Sequence, residues 1–239
     1  MFNIDIRPAR KKLSEICKAN SFKRRGNAHF RVVGDGVLQI VKFEYEGVFS
    51  HYNLNFGLFS MYSKLAEQHF TSSGCIPQYY VFALQGRKDA VKLNGINSYY
   101  SLQIDSPEQQ VQYFQDTVLG WLDTIDTQQK LIDAVCYIEK QIYSDIDWLD
   151  SFKIETFLCA QMYDRADYVI NSILHQHLGS NIWRELPWTH QDYQLYAQKF
   201  PGKDERFLEL HNWIFERNDK AISHYLQSNF ANNRLWFPY

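Results

Sequence analysis

The sequence changes its hydrophobic period at residue 106, and this change constrains the fold more than any other feature. Before it, a Gly-Asp-Gly turn joins two apolar segments within 21–45, and apolar and polar residues alternate along 51–59. After it, apolar residues recur every three or four positions, as they do on one face of an α-helix. Strands followed by helices predict an α+β fold. We expect two domains that pack against each other, residues 1–105 and residues 106–239.

A Gly-Asp-Gly turn at 34–36 joins the first two apolar segments, and such turns are typical of β-hairpins. With these three residues as the loop, Val33 faces Val37 and Arg31 faces Gln39. This register predicts that four apolar side chains share the buried face of the hairpin: Phe30, Val32, Leu38 and Ile40.

The stretch 51–59 predicts a third strand, with Leu54 and Phe56 on its apolar face. We expect the opposite face of the sheet to be wet and to form a ligand- or partner-binding site. Its predicted members are His29, Arg31, Gln39, His51, Asn53 and Asn55. Further strands near 79–84 and 99–104 would complete an antiparallel sheet of about four to five strands. A short amphipathic helix at 10–19 flanks it.

Helix-start signals recur in the second half. Ser106, followed by Pro107 and by Gln109 three residues on, is a typical helix cap, and Asp126 is predicted to cap the next helix. The predicted helices span 106–121, 127–142, 152–162, 165–178, 189–199 and 204–228. Residues 158–174 resemble an αα-hairpin of the tetratricopeptide kind, with its bend at 163–164.

The first hundred residues resemble bacterial domain-of-unknown-function family 4304. The resemblance rests on Phe22, Lys23, Gly26, Phe30, Arg31, Gly34, Asp35, Gln39, Phe43, Leu54, Asn55 and Gly57. It implies an intracellular bacterial protein without an established reaction. It also implies that some relatives stand beside contact-dependent toxins as immunity proteins.

Charge is distributed unevenly along the chain. Residues 1–31 hold nine Lys and Arg against two acidic residues, whereas residues 106–239 hold eleven against nineteen. The Lys-Arg-Arg cluster at 23–25 is interpreted as a solvated turn between the first helix and the hairpin, with a phosphate contact as the alternative. Because the acidic half is a nearer partner for the basic head, an intramolecular contact is favoured over nucleic-acid binding. The net charge of −8 over 106–239, with no catalytic motif, predicts another protein as the external partner.

Signatures of common enzymes are missing from the sequence. It contains no Walker phosphate loop, dinucleotide fingerprint, zinc-protease helix motif or nucleophile elbow. His175 and His177 are two residues apart, so on a helix they point in different directions and predict no metal site. No cofactor is predicted either. The enzymatic alternative is a hydrolase or transferase that uses His51, His29 and Arg31, although no nucleophile is evident beside either histidine.

Several features bear on location and assembly. No apolar run reaches the ~20 residues that cross a bilayer, and the first residues do not form a secretory signal. The four cysteines have neither zinc-site nor disulfide spacing, which favours reduced thiols and a cytoplasmic location. The aromatic tail at 236–239 is expected to pack within the chain, with a homodimer contact as the alternative. The prediction is a non-catalytic cytoplasmic protein-binding module, of which toxin neutralisation is one version.

Overall fold

The computed structural model describes residues 5–46, 51–64, 106–141, 147–178 and 188–238. The first part contains helix α1 (Arg7–Ala19) and strands β1 (Lys23–Arg25), β2 (Ala28–Val33), β3 (Val37–Glu46) and β4 (His51–Ser60). The second part contains α2 (Pro107–Tyr113), a π-helical turn (Phe114–Val118), α3 (Leu119–Asp123), α4 (Gln128–Gln141), α5 (Asp147–Cys159), α6 (Tyr163–Leu178), α7 (His190–Lys199), α8 (Glu205–Phe215) and α9 (Asp219–Trp236). The α+β class is confirmed. The strands predicted near 79–84 and 99–104 lie outside the described residues.

Four antiparallel strands form the described sheet, in the order β1-β2-β3-β4. The predicted hairpin register is confirmed, since Val33 pairs with Val37 and Arg31 pairs with Gln39. The cluster at 23–25 is not a solvated turn, because it forms strand β1 at the edge of the sheet and pairs with β2. The turn follows it, and Gly26 there has a φ of 59°, which suits glycine.

At the centre of the sheet both faces are buried among the residues whose burial is described, so the wet face predicted around Gln39 is wrong. Leu38 and Ile40 on one face are 0% and 1% exposed, and Val41 on the other face is 0% exposed. The face of Val41 also carries Phe56, whose ring lies 6.2 Å from the ring of Trp121 in α3. The helices that follow residue 106 therefore cover a surface that the strand pattern alone left open to water.

The chain divides into two compact units. Unit 1 comprises Met1–Met61, Leu65–Ser144 and Arg234–Tyr239, and unit 2 comprises Tyr62–Lys64 and Asp145–Asn233. The sequence prediction drew its boundary between residues 105 and 106 instead. The difference arises because α2 and α3 bond directly to the sheet: Gln110 Oε1 accepts the backbone N–H of Leu54 at 2.7 Å.

Helix α2 begins where the sequence predicted. Ser106 and Gln109 exchange the two hydrogen bonds of a capping box, with Gln109 Oε1 accepting the N–H of Ser106 at 2.8 Å. The cap of α4 is Thr127 rather than Asp126, because Thr127 Oγ1 accepts the N–H of Lys130 at 3.3 Å. Asp126 instead pairs with the Lys130 ammonium at 2.6 Å.

The predicted helix 204–228 is two helices, α8 and α9. At the break Arg217 has a φ of 54°, and the N–H of Asn218 donates to Trp213 O at 2.8 Å. This is the Schellman pattern that ends helices, usually with glycine where Arg217 lies. The same pattern separates α5 from α6 around Gln161, whose φ is 56°. Helix α6 starts at Tyr163, where the bend was predicted, and it packs against α5.

Unit 2 contains a buried ion pair. Glu155 of α5 is 0% exposed, and its Oε1 accepts hydrogen bonds from Arg206 of α8 and from the Tyr225 hydroxyl of α9 at 2.7 Å. Burial, together with the Glu155 charge, raises the pKa of Tyr225, so the phenol stays a donor. These contacts fix α5, α8 and α9 to one another. Within the described part of the chain, no helix combines the length and the apolarity that a membrane span requires.

Candidate anion-binding site

The six residues predicted to form a polar face do not share a face of the sheet. Gln39 pairs with Leu58 and His29 pairs with Val41, positions that belong to one face. Asn55 pairs with Lys42, which is three positions from Gln39 along β3 and therefore lies on the opposite face of the sheet. The register therefore assigns His29, Arg31 and Gln39 to one set of positions, and His51, Asn53 and Asn55 to the other. Alternation along each strand was predicted correctly, but Leu54 and Phe56 were assigned to the face of Leu38, whereas their pairing with Phe43 and Val41 places them on the other face.

Gln39 and Arg31 are committed to internal hydrogen bonds. Gln39 is 0% exposed, and its Nε2 donates to Leu122 O at 2.7 Å and to Ile125 O at 3.1 Å. Its Oε1 accepts Arg31 Nε at 2.8 Å, and Arg31 also pairs with Asp123. The predicted Arg31–Gln39 pair exists, but it joins the sheet to the end of α3 and does not present a ligand-binding surface.

His29 is the predicted site residue that lies at a cavity. It is 6% exposed, and its Nε2 lies 3.0 Å from Ser14 Oγ of α1. Its other ring nitrogen, Nδ1, is buried and has no hydrogen-bond partner in the described structure. Buried polar atoms rarely stay unpaired, so each such atom needs an explanation.

A cavity of about 60 Å³ lies beside this histidine, within unit 1. Its lining residues are Arg10, Leu13, Ser14, Arg24, Asn27, His29 and Phe43. On a scale of 10–15 Å³ for one water molecule, it has room for about four waters. That is the size range of a carboxylate or phosphate group.

The local sequence explains how these residues meet. Arg10, Leu13 and Ser14 are spaced three and four residues apart, so α1 presents them on one face. Arg24 of β1 is the direct cross-strand partner of His29, so the two side chains share a face of the sheet. The sequence contained the cationic cluster and the histidine, but nothing in it showed that α1 covers this face.

Electrostatics favours a negatively charged guest. Two arginine side chains line the cavity, and no carboxylate does so among the residues that line it. Burial and the Arg24 charge lower the pKa of His29, so the ring is neutral at neutral pH. If Ser14 donates its hydroxyl proton to Nε2, the neutral ring carries its own proton on Nδ1 and offers that N–H as a donor.

The sequence showed no nucleophile beside His29, but the structure places the Ser14 hydroxyl there. Its Oγ is within hydrogen-bond distance of His29 Nε2, as in a serine–histidine pair. No carboxylate of the described residues bonds to Nδ1, however, and an orienting carboxylate is the third member of the usual triad. The geometry therefore fits ligand binding better than nucleophilic catalysis.

The strand that carries Arg24 is held from its other side by the chain's own last residues. Lys23 Nζ donates to Pro238 O at 3.1 Å, and Arg25 both bonds to Trp236 O and lies 4.6 Å from its ring centroid. Phe237 is 1% exposed and packs edge-on against Phe30 at 5.2 Å. Internal packing of the tail is thus confirmed for Phe237.

No protein-family model matches the chain, and no curated protein or solved structure is significantly similar to it. The resemblance to family 4304 therefore stays a prediction.

Proposed function

We propose that this protein is a non-catalytic binding module that receives an anionic group, a carboxylate or a phosphate, in the cavity of unit 1. The observations that carry the proposal are Arg10 and Arg24 in the lining of one small cavity, and the buried His29 of the same lining, whose Nδ1 has no partner in the described structure. An oxyanion would accept the Nδ1–H and would face two guanidinium groups at once.

The energetics support an anion over a neutral ligand. Arg10 and Arg24 line one small cavity, so an anion in it would lie close to two positive charges. Hydrogen bonds between charged groups are roughly twice as strong as neutral ones, and guanidinium forks match both carboxylate and phosphate. A buried donor without a partner costs about 1–3 kcal/mol, which a bound oxyanion would offset.

The anionic group would belong to a protein partner, as the sequence predicts. Carboxylates are abundant on protein surfaces. Phosphorylation adds phosphoryl groups to serine, threonine and tyrosine side chains on the same surfaces. A cytoplasmic location, a toxin-neutralising role and homodimer formation all stay predictions, and the cavity does not depend on any of them.

Titration with inorganic phosphate and, separately, with acetate tests the proposal. Calorimetry should show saturable binding of at least one anion, and the stronger of the two identifies the favoured group. Arg24→Gln should weaken this binding about tenfold, since a charged hydrogen bond is lost. Lys11→Gln is the matched control, because Lys11 is exposed on α1 and does not line the cavity.

Two results would contradict the proposal. One is the failure of both anions to bind. The other is an equal loss of affinity in Arg24→Gln and Lys11→Gln, which would mean that binding reflects only the net charge of the basic head.

A second candidate function is hydrolysis, and the specific observation in its favour is the 3.0 Å Ser14–His29 contact. It predicts turnover of a nitrophenyl ester or nitrophenyl phosphate that disappears in Ser14→Ala. Turnover that depends on Ser14 would replace the binding proposal with the enzymatic one. Absence of turnover, together with anion binding, would support a non-catalytic role.

A further inference from the structure

A chain of hydrogen bonds joins three helices of unit 2, far in sequence from the anion cavity. Asp167 of α6 contacts His211 of α8, with 2.6 Å between Oδ1 and Nδ1. His211 Nε2 lies 3.1 Å from His190 Nδ1 of α7. His190 Nε2 in turn lies 3.0 Å from Nε2 of Gln194, one turn further along α7. No motif links these residues, which are separated by up to 44 positions.

The acceptor-only carboxylate orders these bonds from one end. Asp167 can only accept, so His211 carries a proton on Nδ1. When that is the only ring proton of His211, its Nε2 accepts the Nδ1–H of His190. His190 Nε2 then has a lone pair, which accepts an amide N–H of Gln194. In this arrangement each of the four ring nitrogens has a partner.

Ring stacking holds both imidazoles in place. The ring of Tyr193 lies parallel to His211 with 3.4 Å between centroids, and the ring of Phe215 lies parallel to His190 at 4.0 Å. Burial, with a further contribution from Asp167, raises the pKa of Tyr193, so its hydroxyl stays protonated beside the carboxylate. The two rings restrict rotation of the imidazoles.

The series of hydrogen bonds runs from the interior of unit 2 to its surface. His211 is 3% exposed, His190 is half-buried, and the contact between His190 and Gln194 is exposed. The Nε2 lone pair of His190, which is paired with the Gln194 amide, therefore lies at the outer end of these hydrogen bonds. A carboxylate that orients one histidine, which in turn accepts a proton from the next group, is the arrangement that activates nucleophiles. In this chain the next group is an imidazole.

We propose that His190 is a phosphoryl-acceptor site. Nε2 attacks the phosphorus of a small acyl phosphate, the N–P bond forms, and the P–O bond to the acyl group breaks with its electron pair leaving on the carboxylate. The Nδ1 proton passes to His211 Nε2, which gives a neutral phosphorylated ring at position 190. The resulting imidazolium at His211 is stabilised by Asp167. Gln194 turns its amide N–H from the ring to a phosphoryl oxygen.

The experiment uses the full chain and acetyl phosphate. Intact-mass analysis at neutral pH should show one added phosphoryl group, and the label should be lost in acid, as expected for a phosphorus–nitrogen bond. Peptide fragmentation of the wild-type protein should locate the label at His190. His190→Gln should abolish it, whereas His224→Gln should leave it unchanged, since His224 is an exposed histidine of α9 outside the chain of hydrogen bonds.

Asp167→Asn tests the positioning role of the carboxylate. Labelling should slow by about tenfold or more. The acid limb of the pH–rate profile should also move to lower pH, because a neutral amide stabilises imidazolium less than a carboxylate does. A role in folding alone would lower thermal stability without moving that profile.

Three results would overturn the inference. They are no label on the wild-type protein, a label located elsewhere than His190, and a labelling rate that Asp167→Asn does not change. Localisation in the wild-type protein keeps the test valid even if His190→Gln fails to fold.

Discussion

Two buried histidines, His29 in unit 1 and His211 in unit 2, have opposite hydrogen-bond environments. His211 is 3% exposed and uses both ring nitrogens, one toward Asp167 and one toward His190. His29 is 6% exposed and uses one, because its Nδ1 has no partner among the described residues. A buried ring whose bonds are all internal stabilises the fold around it, whereas a buried ring with an unpartnered nitrogen beside a cavity is the arrangement on which the binding proposal rests.

The largest expected effect is on stability, in His211→Phe. Phenylalanine keeps a stacked ring but removes both bonds, so the half-buried Asp167 and His190 each lose one hydrogen bond. The free energy of unfolding should fall by about 2–4 kcal/mol, since a bond to a carboxylate contributes about 1.5–3 kcal/mol and a neutral bond about 0.5–1.5 kcal/mol. Urea denaturation measures it. A loss below about 1 kcal/mol would mean that the internal bonds of His211 contribute little.

The second-largest expected effect is a dependence of the free energy of unfolding on pH. The folded pKa of His29 is lowered from the ordinary value of 6.5, mainly by burial. Below pH 6.5 the unfolded chain therefore binds a proton that the folded chain does not, and stability falls as the pH falls toward the lowered folded pKa. The slope from one group cannot exceed about 1.4 kcal/mol per pH unit. His29→Gln should remove this component from the urea midpoints measured between neutral and mildly acidic pH, and identical slopes in the two proteins would contradict it.

His29→Phe should change the free energy of unfolding by less than about 1 kcal/mol. Loss of the bond to Ser14 destabilises the protein, and removal of the unpaired nitrogen offsets that loss. Phosphate or acetate binding should nonetheless fall, since the donor to the anion is gone. Urea denaturation and calorimetry on the same sample separate the two effects. A loss of stability equal to that of His211→Phe would remove the contrast between the two histidines.

The smallest effect should follow from Trp236→Ala. Trp236 does not line the cavity, but it holds Arg25 and thereby the edge strand that carries Arg24. Loss of a cation–π contact of about 0.5–1 kcal/mol should weaken anion binding by about two- to fivefold. Leu235→Ala is the matched control, since the Leu235 side chain is 80% exposed. Equal calorimetric affinities for Trp236→Ala and Leu235→Ala would show that the tail does not influence the cavity.

Local patterns predicted much of the fold. The turn at 34–36 set the hairpin register, Ser106 set the start of α2, and helical periodicity located the helices of the second half. The pairing of β3 with β4 could not be predicted in the same way, because the sequence between them, residues 47–50, has no recognisable hairpin-turn pattern. The break at Arg217 was missed because a residue other than glycine has the positive φ there.

The candidate sites were less predictable, because they depend on contacts between elements distant in the sequence. His29 was identified from its strand, but Ser14 and Arg10 join it only through the packing of α1 on the sheet. Gln39 was chosen for its polarity and is instead bonded to carbonyls more than 80 residues away. Polarity on a strand predicts a site only if nothing covers that strand.

The hairpin turn at 34–36 also contacts the start of α4. Asp35 Oδ2 accepts the N–H of Gln128 at 3.2 Å, and the N–H of Asp35 donates to Asp126 O at 3.2 Å. A Cβ atom on Gly34 would lie 1.6 Å from Asp126 O, so the approach tolerates no side chain. The first turn of α4 thus obtains part of its cap from a segment 93 residues earlier. This helix end is therefore completed by a non-local contact, of the kind whose loop-closure entropy slows folding.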